Sequence, residues 1–513
     1  MAVGAVARFL FLAQKPFWFD ECFSVEVARL SWGNFLHLLW WREANMSLYY
    51  LLLRIWLTVR APSGQSEFFI RSLSVVTSAA TLPAIYWLAR QLYACRPKAR
   101  RIALIAATLF AFNAYSVRYS QEARSYALFL LLATLSSGFL VAFLRNPSGR
   151  NRMVYVIVSI LAVYAHFYAL LLLITHWLAL RWLGADPTGT DQSRAQLPAQ
   201  LRRAWITIGV AVLPLLIFVV KTGAGPIRWI QRPGPGDLLR FYERLSGSTR
   251  WPLAAIFALA CLAAVSPLGK NLWSRDPRPR RSPEPSAEPL SAQVWRSRFL
   301  MLWLFFPVAL TALLSLARPV FLDRYMIFCL PSLLILVAAG LARLRRLWLL
   351  TIVLAAILLL CGQGIFYVYG HDFDDERDAA GAATDFILDH TQTGDAIIFH
   401  IAASRIPYEF YRSLRAGEDT ASPSFRRQLG PEILFPSHGA GLDYRDFTGK
   451  PTAALVRTAS PVHPRTWIVL MHNGATGKPD ATTVMLTSTL PESYPKMVHW
   501  QFKRVEVMLY SKP

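Results

Sequence analysis

The sequence predicts a polytopic α-helical membrane domain over residues 1–370, of about eleven spans, followed by an extracytoplasmic α/β domain over 371–513. Three observations predict it. Apolar runs of near-span length recur up to residue 369, Lys and Arg gather in the short segments between them, and composition changes sharply after residue 370. The chain is 54% hydrophobic with a mean hydropathy of +0.34, too apolar for an ordinary soluble enzyme.

The apolar runs lie at 1–13, 70–93, 101–118, 123–144, 153–183, 204–221, 251–268, 299–316, 325–342 and 346–369. A span needs roughly 20 apolar residues. The first run is therefore short: either the first helix is abbreviated or the true start lies upstream. It lacks an A-x-A-like cleavage site, so it does not read as a signal peptide. Basic loops mark the cytoplasmic side. They run from Arg96 to Arg101, Arg145 to Arg152, Arg181 to Arg203, Lys270 to Arg298 and Arg343 to Arg346. Keeping all five on one side requires 153–183 to cross twice, as a hairpin of short helices turning near Ala165-His166-Phe167-Tyr168. It also requires the 13-residue stretch 47–59, interrupted by Arg54, to be an outer juxtamembrane or re-entrant helix. The N-terminus is then inside. The outer segments are 14–69, 117–124, 222–250, 317–324 and everything after 370. The Pro/Arg/Ser-rich stretch 275–291 reads as a disordered inner loop.

In the C-terminal domain, Asp378 to His390 has helical spacing. The segments 395–400, 466–471 and 506–510 read as strands, with Gly394-Asp395 as a turn.

A net charge of +23 would suggest nucleic acid in a soluble protein. Here the basic residues lie between apolar runs, with no basic domain or motif, so the expected partner is membrane lipid and not nucleic acid. The five cysteines (Cys22, Cys95, Cys261, Cys329, Cys361) are far apart and form no CxxC pair, so they read as small apolar residues.

The outer segments hold the unusual polar groups. Trp18-Phe19-Asp20-Glu21 places two carboxylates after the first span among aromatics; alone, it also fits an interfacial aromatic belt. Arg42-Glu43-Ala44-Asn45 precedes the juxtamembrane helix. Tyr119-Ser120-Gln121-Glu122-Ala123-Arg124 enters the fourth span, where an acid also suits a helix N-terminus. Asp323-Arg324-Tyr325 enters the tenth, where a snorkelling Arg paired with Asp would also fit. Ionisable groups at membrane boundaries are costly unless paired or hydrated, so a cavity is the default reading. Asp20 suits a general base on a hydroxyl. Arg324 and Arg124 suit a phosphate, because guanidinium matches its oxygens by paired hydrogen bonds. A carboxylate near a phosphate needs separation or a bridging cation, for which His166 and Glu43 are candidates.

These groups, in this order, resemble the GT-C superfamily of polyprenyl-phosphate-sugar-dependent glycosyltransferases. The likeness is greatest to the branch containing the protein mannosyltransferases and the aminoarabinose–lipid A transferase. It is carried by Trp18-Phe19-Asp20-Glu21 with Ser24, Leu48-Tyr49-Tyr50, Ser66 to Ser74, Tyr119 to Tyr126, Ala165 to Tyr168, and Asp323-Arg324-Tyr325 with Pro331. It covers about 1–370. Asn45-Met46-Ser47 depart from it, standing where many relatives carry Pro-Pro.

The resemblance implies an inverting transfer of a sugar from a polyprenyl-phosphate donor to an extracytoplasmic lipid, glycan or protein acceptor. It implies Asp20 as catalytic base, accompanied by Glu21 and Glu122. Arg324, with Arg124 and Tyr325, would bind the donor phosphate. Glu43, Asn45 and His166 are candidate acceptor or metal ligands, and a divalent cation is left open. A bacterial inner membrane, with the C-terminal domain periplasmic or extracellular, is the expected location. The rivals are a lipid-linked-sugar transporter or flippase, which would place polar groups at mid-membrane, and a non-catalytic binding protein of the same fold.

Overall fold

A computed structural model describes residues 2–59, 66–94, 96, 98–182, 191–222, 230–247, 250–266, 290–370, 378–415, 430–436, 449–471 and 479–513. Most of the expected inner loop 275–291 lies outside these residues. The chain divides into two compact units. Residues 1–10, 45–49 and 74–371 form the first; 11–44, 50–73 and 372–513 form the second.

The chain is a multi-pass helical membrane protein. Among the described residues, six helices are long and apolar enough to cross a bilayer: Glu67–Leu92, Tyr126–Arg145, Leu197–Thr222, Val294–Ala317, Asp323–Leu341 and Leu347–Gly370. Two bent pairs raise the number to eight: Ala99–Ala111 with Ala114–Ser120, and Pro235–Ser246 with Trp251–Val265. The other three expected spans fall on shorter helices, Ala2–Phe9, Gly149–Ala165 and Ala169–Trp182. The last two are separated by a break at His166 to Tyr168, where the turn was expected. Stretch 47–59 forms an 11-residue helix, Ser47–Leu57, too short to cross.

Burial separates central from peripheral helices in the first unit. The apolar window of Asp323–Leu341 is 94% buried, whereas those of Leu197–Thr222 and Leu347–Gly370 are 28% buried, which suits lipid contact. Apolar helices gain little from the hydrophobic effect in lipid, so small residues and interhelical hydrogen bonds hold them together. A Cβ on Gly340 would strike the backbone of Ala260, and one on Gly138 would strike the ring of Trp87. Ser136 and Ser159 share a buried hydrogen bond of 2.8 Å, and Ser137 meets His176 Nε2 at 3.0 Å.

The 57° bend between Ala99–Ala111 and Ala114–Ser120 has a local cause. Asn113 caps the second helix, its Oδ1 accepting from Ser116 N–H at 2.8 Å. The first helix ends on Arg8, which donates to the Phe110 and Ala111 carbonyls, both at 3.0 Å. A cation at a helix C-terminus satisfies otherwise orphaned carbonyls.

The second unit carries the α/β domain. Its strands are β1 (Ala396–Phe399), β2 (Glu432–Phe435), β3 (Arg465–Met471), β4 (Lys496–Phe502) and β5 (Val505–Ser511), in the order β2-β1-β3-β5-β4. β1 pairs parallel with β2 and β3; β5 pairs antiparallel with β3 and β4. Side chains alternate between the two faces. Ile397, Phe399, Trp467 and Val469 pack under helix Ala380–His390 with Tyr408, and Phe19 joins this cluster. Ile398, Ile468 and Leu470 face Val456, Leu486 and Tyr494 on the other side. Asp395 fixes the entry to β1. Its carboxylate accepts from Arg465 at 2.8 and 2.6 Å and from Trp467 Nε1 at 2.9 Å.

Candidate functional site

In the second unit, Asp20 and Glu21 sit in the first turn of helix Phe19–Arg29. Acidic residues are favoured there by the helix dipole. The N-cap residue, Trp18, has no side-chain acceptor and makes no cap bond. Instead, the Phe19 N–H donates to Asp378 Oδ2 at 2.9 Å. The preceding turn is held as closely. Phe17 N–H donates to Glu67 Oε1 at 3.3 Å, Tyr411 Oη donates to the Phe17 carbonyl at 2.8 Å, and the Phe17 ring stacks on Phe410 at 5.1 Å.

Glu21 is fully buried, and both of its oxygens accept from Arg71, each at 2.7 Å. Arg71 also donates to the carbonyls of Leu12 (2.8 Å), Lys15 (2.7 Å) and Pro16 (3.3 Å), and its guanidinium lies 4.5 Å from the Phe17 ring centroid. The pair therefore fastens the 12–16 backbone to the helix that carries Asp20. Asp20 is half-buried, and its carbonyl accepts from Ser24 Oγ at 2.9 Å. Cys22 on the same helix is fully buried. Burial, then the negative charges of Asp378, Glu21 and Glu26, push its thiol well above the usual range. Glu43 is half-buried just past helix Trp32–Trp41, its N–H donating to the Leu38 carbonyl at 3.0 Å.

In the first unit, Glu122 and Arg124 lie in the turn between helices Ala114–Ser120 and Tyr126–Arg145, both buried. Glu122 is 3.9 Å from Arg118, one turn before it. Ser74 Oγ, which shares a 3.0 Å hydrogen bond with Tyr49 Oη, donates to the Arg124 carbonyl at 3.3 Å. Arg324 is buried in the 3-10 turn Asp323–Cys329. Asp323 fixes that turn. Its Oδ1 accepts from Arg324 N–H at 2.7 Å and its Oδ2 pairs with Arg244 at 2.6 Å.

His166 is fully buried at the break between helices Gly149–Ala165 and Ala169–Trp182. Its ring stacks on Phe129 at 5.1 Å and lies 4.7 Å from Tyr325 and 5.4 Å from Tyr168. Arg124 and Arg324 are its charged neighbours. Its Nδ1 accepts the Tyr168 N–H at 3.2 Å, so in the neutral ring Nε2 carries the proton. Among the described residues Nε2 has no hydrogen-bond partner. A buried donor of this kind calls for an acceptor. In this tautomer Nε2 is a hydrogen-bond donor and offers no lone pair to a metal. Asn45 supports this turn: its Oδ1 accepts from Phe167 N–H at 3.1 Å, and Ser47 Oγ donates to the Tyr164 carbonyl at 3.3 Å. Among the described residues no group of three or more His, Cys, Asp or Glu side chains is placed to hold a metal ion.

The structure therefore brings Arg124, Arg324, Tyr325 and His166 together in one unit, and Asp20 and Glu21 together in the other. Sequence reasoning did not single out Asp378 and Tyr411. The signal for Asp378 was available, as an acid just before a helical run.

No protein-family model matches the chain, and no curated protein sequence matches it. Solved structures do. The fold is similar to that of ArnT from Cupriavidus metallidurans in the apo state, with a TM-score of 0.58 and 12% identity. It is similar also to ArnT bound to undecaprenyl phosphate, with a TM-score of 0.57 and 14% identity. Each alignment covers 99% of this chain and 96% of that one. The likeness to these structures is one of fold.

Proposed function

We propose, with the GT-C fold as premise, that this chain transfers a sugar from a polyprenyl-phosphate donor to an acceptor hydroxyl outside the cytoplasm, with inversion at the anomeric carbon. The observation that carries the reading is the buried cluster around His166. It combines two guanidiniums, three tyrosines within ring contact and an imidazole N–H without an acceptor among the described residues. That donor set suits a phosphate oxyanion. The similar fold of ArnT, solved with undecaprenyl phosphate, supports a lipid-linked phosphate as its occupant.

In this reading Asp20 takes the acceptor hydroxyl proton as the oxygen attacks the anomeric carbon. The bond from that carbon to the phosphate oxygen breaks, and its electron pair leaves with the polyprenyl phosphate. Arg324, Arg124 and His166 stabilise the charge that develops there, typically a large part of such catalysis. Tyr325 walls the phosphate site. Glu21 positions the Asp20 turn through Arg71, and Glu122 orients Arg118 beside it. Asn45 holds the His166 turn, and Glu43 remains a candidate acceptor contact. The chain works in a bacterial inner membrane, with residues 371–513 as a domain outside it.

Arg324→Ala is expected to weaken binding of undecaprenyl phosphate about 100-fold, the scale of a lost charge-assisted contact. Titration of purified protein checks this; unchanged affinity would remove Arg324 from the phosphate site. The transporter reading makes a different prediction: donor would cross the membrane in proteoliposomes without cleavage of its sugar–phosphate bond.

A further inference from the structure

We infer that the C-terminal domain positions the catalytic turn, with Asp378 and Tyr411 as positioning residues for Asp20; the inference rests on the reading of Asp20 as base.

Helix Phe19–Arg29 begins on a residue that cannot cap it, because Trp18 offers no side-chain acceptor. A free N–H at a helix start needs an acceptor, and a carboxylate is the preferred one. Asp378, distant in sequence and 5% exposed, supplies it: Oδ2 takes the Phe19 N–H at 2.9 Å, while Oδ1 takes the Ala380 N–H at 3.3 Å. One carboxylate thus holds the starts of two helices, one carrying Asp20 and one opening the α/β domain. Tyr411 makes the second tie, donating to the Phe17 carbonyl at 2.8 Å. Its neighbour Phe410 stacks on the Phe17 ring with the planes only 12° apart. The Arg29 guanidinium, at the far end of the Asp20 helix, lies 5.7 Å from the Phe410 ring centroid. Phe19 itself joins the apolar cluster of the sheet.

Asp20 therefore follows directly on a residue whose backbone and side chain are both held by the α/β domain. A base displaced by about 1 Å loses on the order of 100-fold in rate. The domain need not touch the substrate to matter for chemistry.

The test uses the full-length protein in detergent with a radiolabelled undecaprenyl-phosphate-linked sugar as donor and a membrane lipid extract as acceptor. Asp378→Ala is expected to lower kcat about 100-fold, with KM for the donor unchanged. Asp378→Asn, which keeps an acceptor oxygen, is expected to restore most of the loss. Tyr411→Phe, which removes only the hydroxyl, is expected to lower kcat about 10-fold and decides the matter if Asp378→Ala does not fold. Wild-type kcat in both Asp378→Ala and Tyr411→Phe would overturn the inference. So would a loss that appears only in KM, or an Asn variant as impaired as the Ala variant. Amide hydrogen exchange over residues 17–22 separates this from failure of the functional reading. Faster exchange confined to that turn in Asp378→Ala supports the anchoring even if Asp20→Asn leaves transfer intact; unchanged exchange there refutes it.

Discussion

Asp20→Asn is expected to abolish transfer, lowering kcat by about 1,000-fold, within the range a positioned general base contributes. The substitution keeps the size and polarity of the side chain at the second position of its helix, so the fold should persist. The groups that hold the turn are elsewhere: Asp378 on the Phe19 N–H, Tyr411 on the Phe17 carbonyl, and Arg71 on Glu21. Affinity for undecaprenyl phosphate should be unchanged, because the amide removes only the capacity to take a proton. A loss in kcat with intact affinity and an unshifted unfolding midpoint is the expected pattern. Full activity in the variant would remove Asp20 as base.

Arg71→Ala is expected to produce the largest loss of stability. Arg71 and Glu21 are 1% and 0% exposed and meet through two parallel hydrogen bonds. Removing one partner of such a pair leaves a buried, uncompensated charge and costs about 3–5 kcal/mol. Three backbone carbonyls, of Leu12, Lys15 and Pro16, lose their donor as well. Glu21→Gln should cost less, since the amide oxygen still accepts. Replacing both residues by apolar ones of similar volume should recover part of the loss, because it removes the stranded charge. Denaturant unfolding of the detergent-solubilised protein measures all three. An Arg71→Ala midpoint equal to wild type would contradict this account of the pair.

The membrane class was legible because it rests on quantities summed over many residues. Apolar length and the placement of Arg and Lys survive errors at any single position. The helix break at His166 to Tyr168 was expected on a different ground, the basic residues that flank 153–183 at both ends. Strands β1, β3 and β5 showed as dense β-branched and aromatic runs. β2 and β4 did not. Their burial is partial, and the exposed Met497 and Val498 of β4 break the alternation by which a half-buried strand is recognised. The groups expected to bind phosphate were visible as cations at helix entrances. The role of Glu21 was not, since its partner Arg71 lies 50 residues away and is apparent only once the chain has folded. Sequence separation likewise concealed the contact of Asp378 with Phe19, 359 residues away, although Asp378 itself was visible as an acid before a helical run. Asn45 was a candidate ligand through the resemblance alone. Its oxygen accepts from the backbone N–H of Phe167, a contact between segments 122 residues apart.

Sugar transfer itself decides whether this chain is a glycosyltransferase. Purified wild-type protein and Asp20→Asn are incubated with undecaprenyl-phosphate-linked radiolabelled sugar and a membrane extract, and label is followed into products other than the donor. Transfer by the wild type that disappears in the variant, with undecaprenyl phosphate released in equal amount, is the expected result. Folded wild-type protein that binds undecaprenyl phosphate yet moves no label would contradict it.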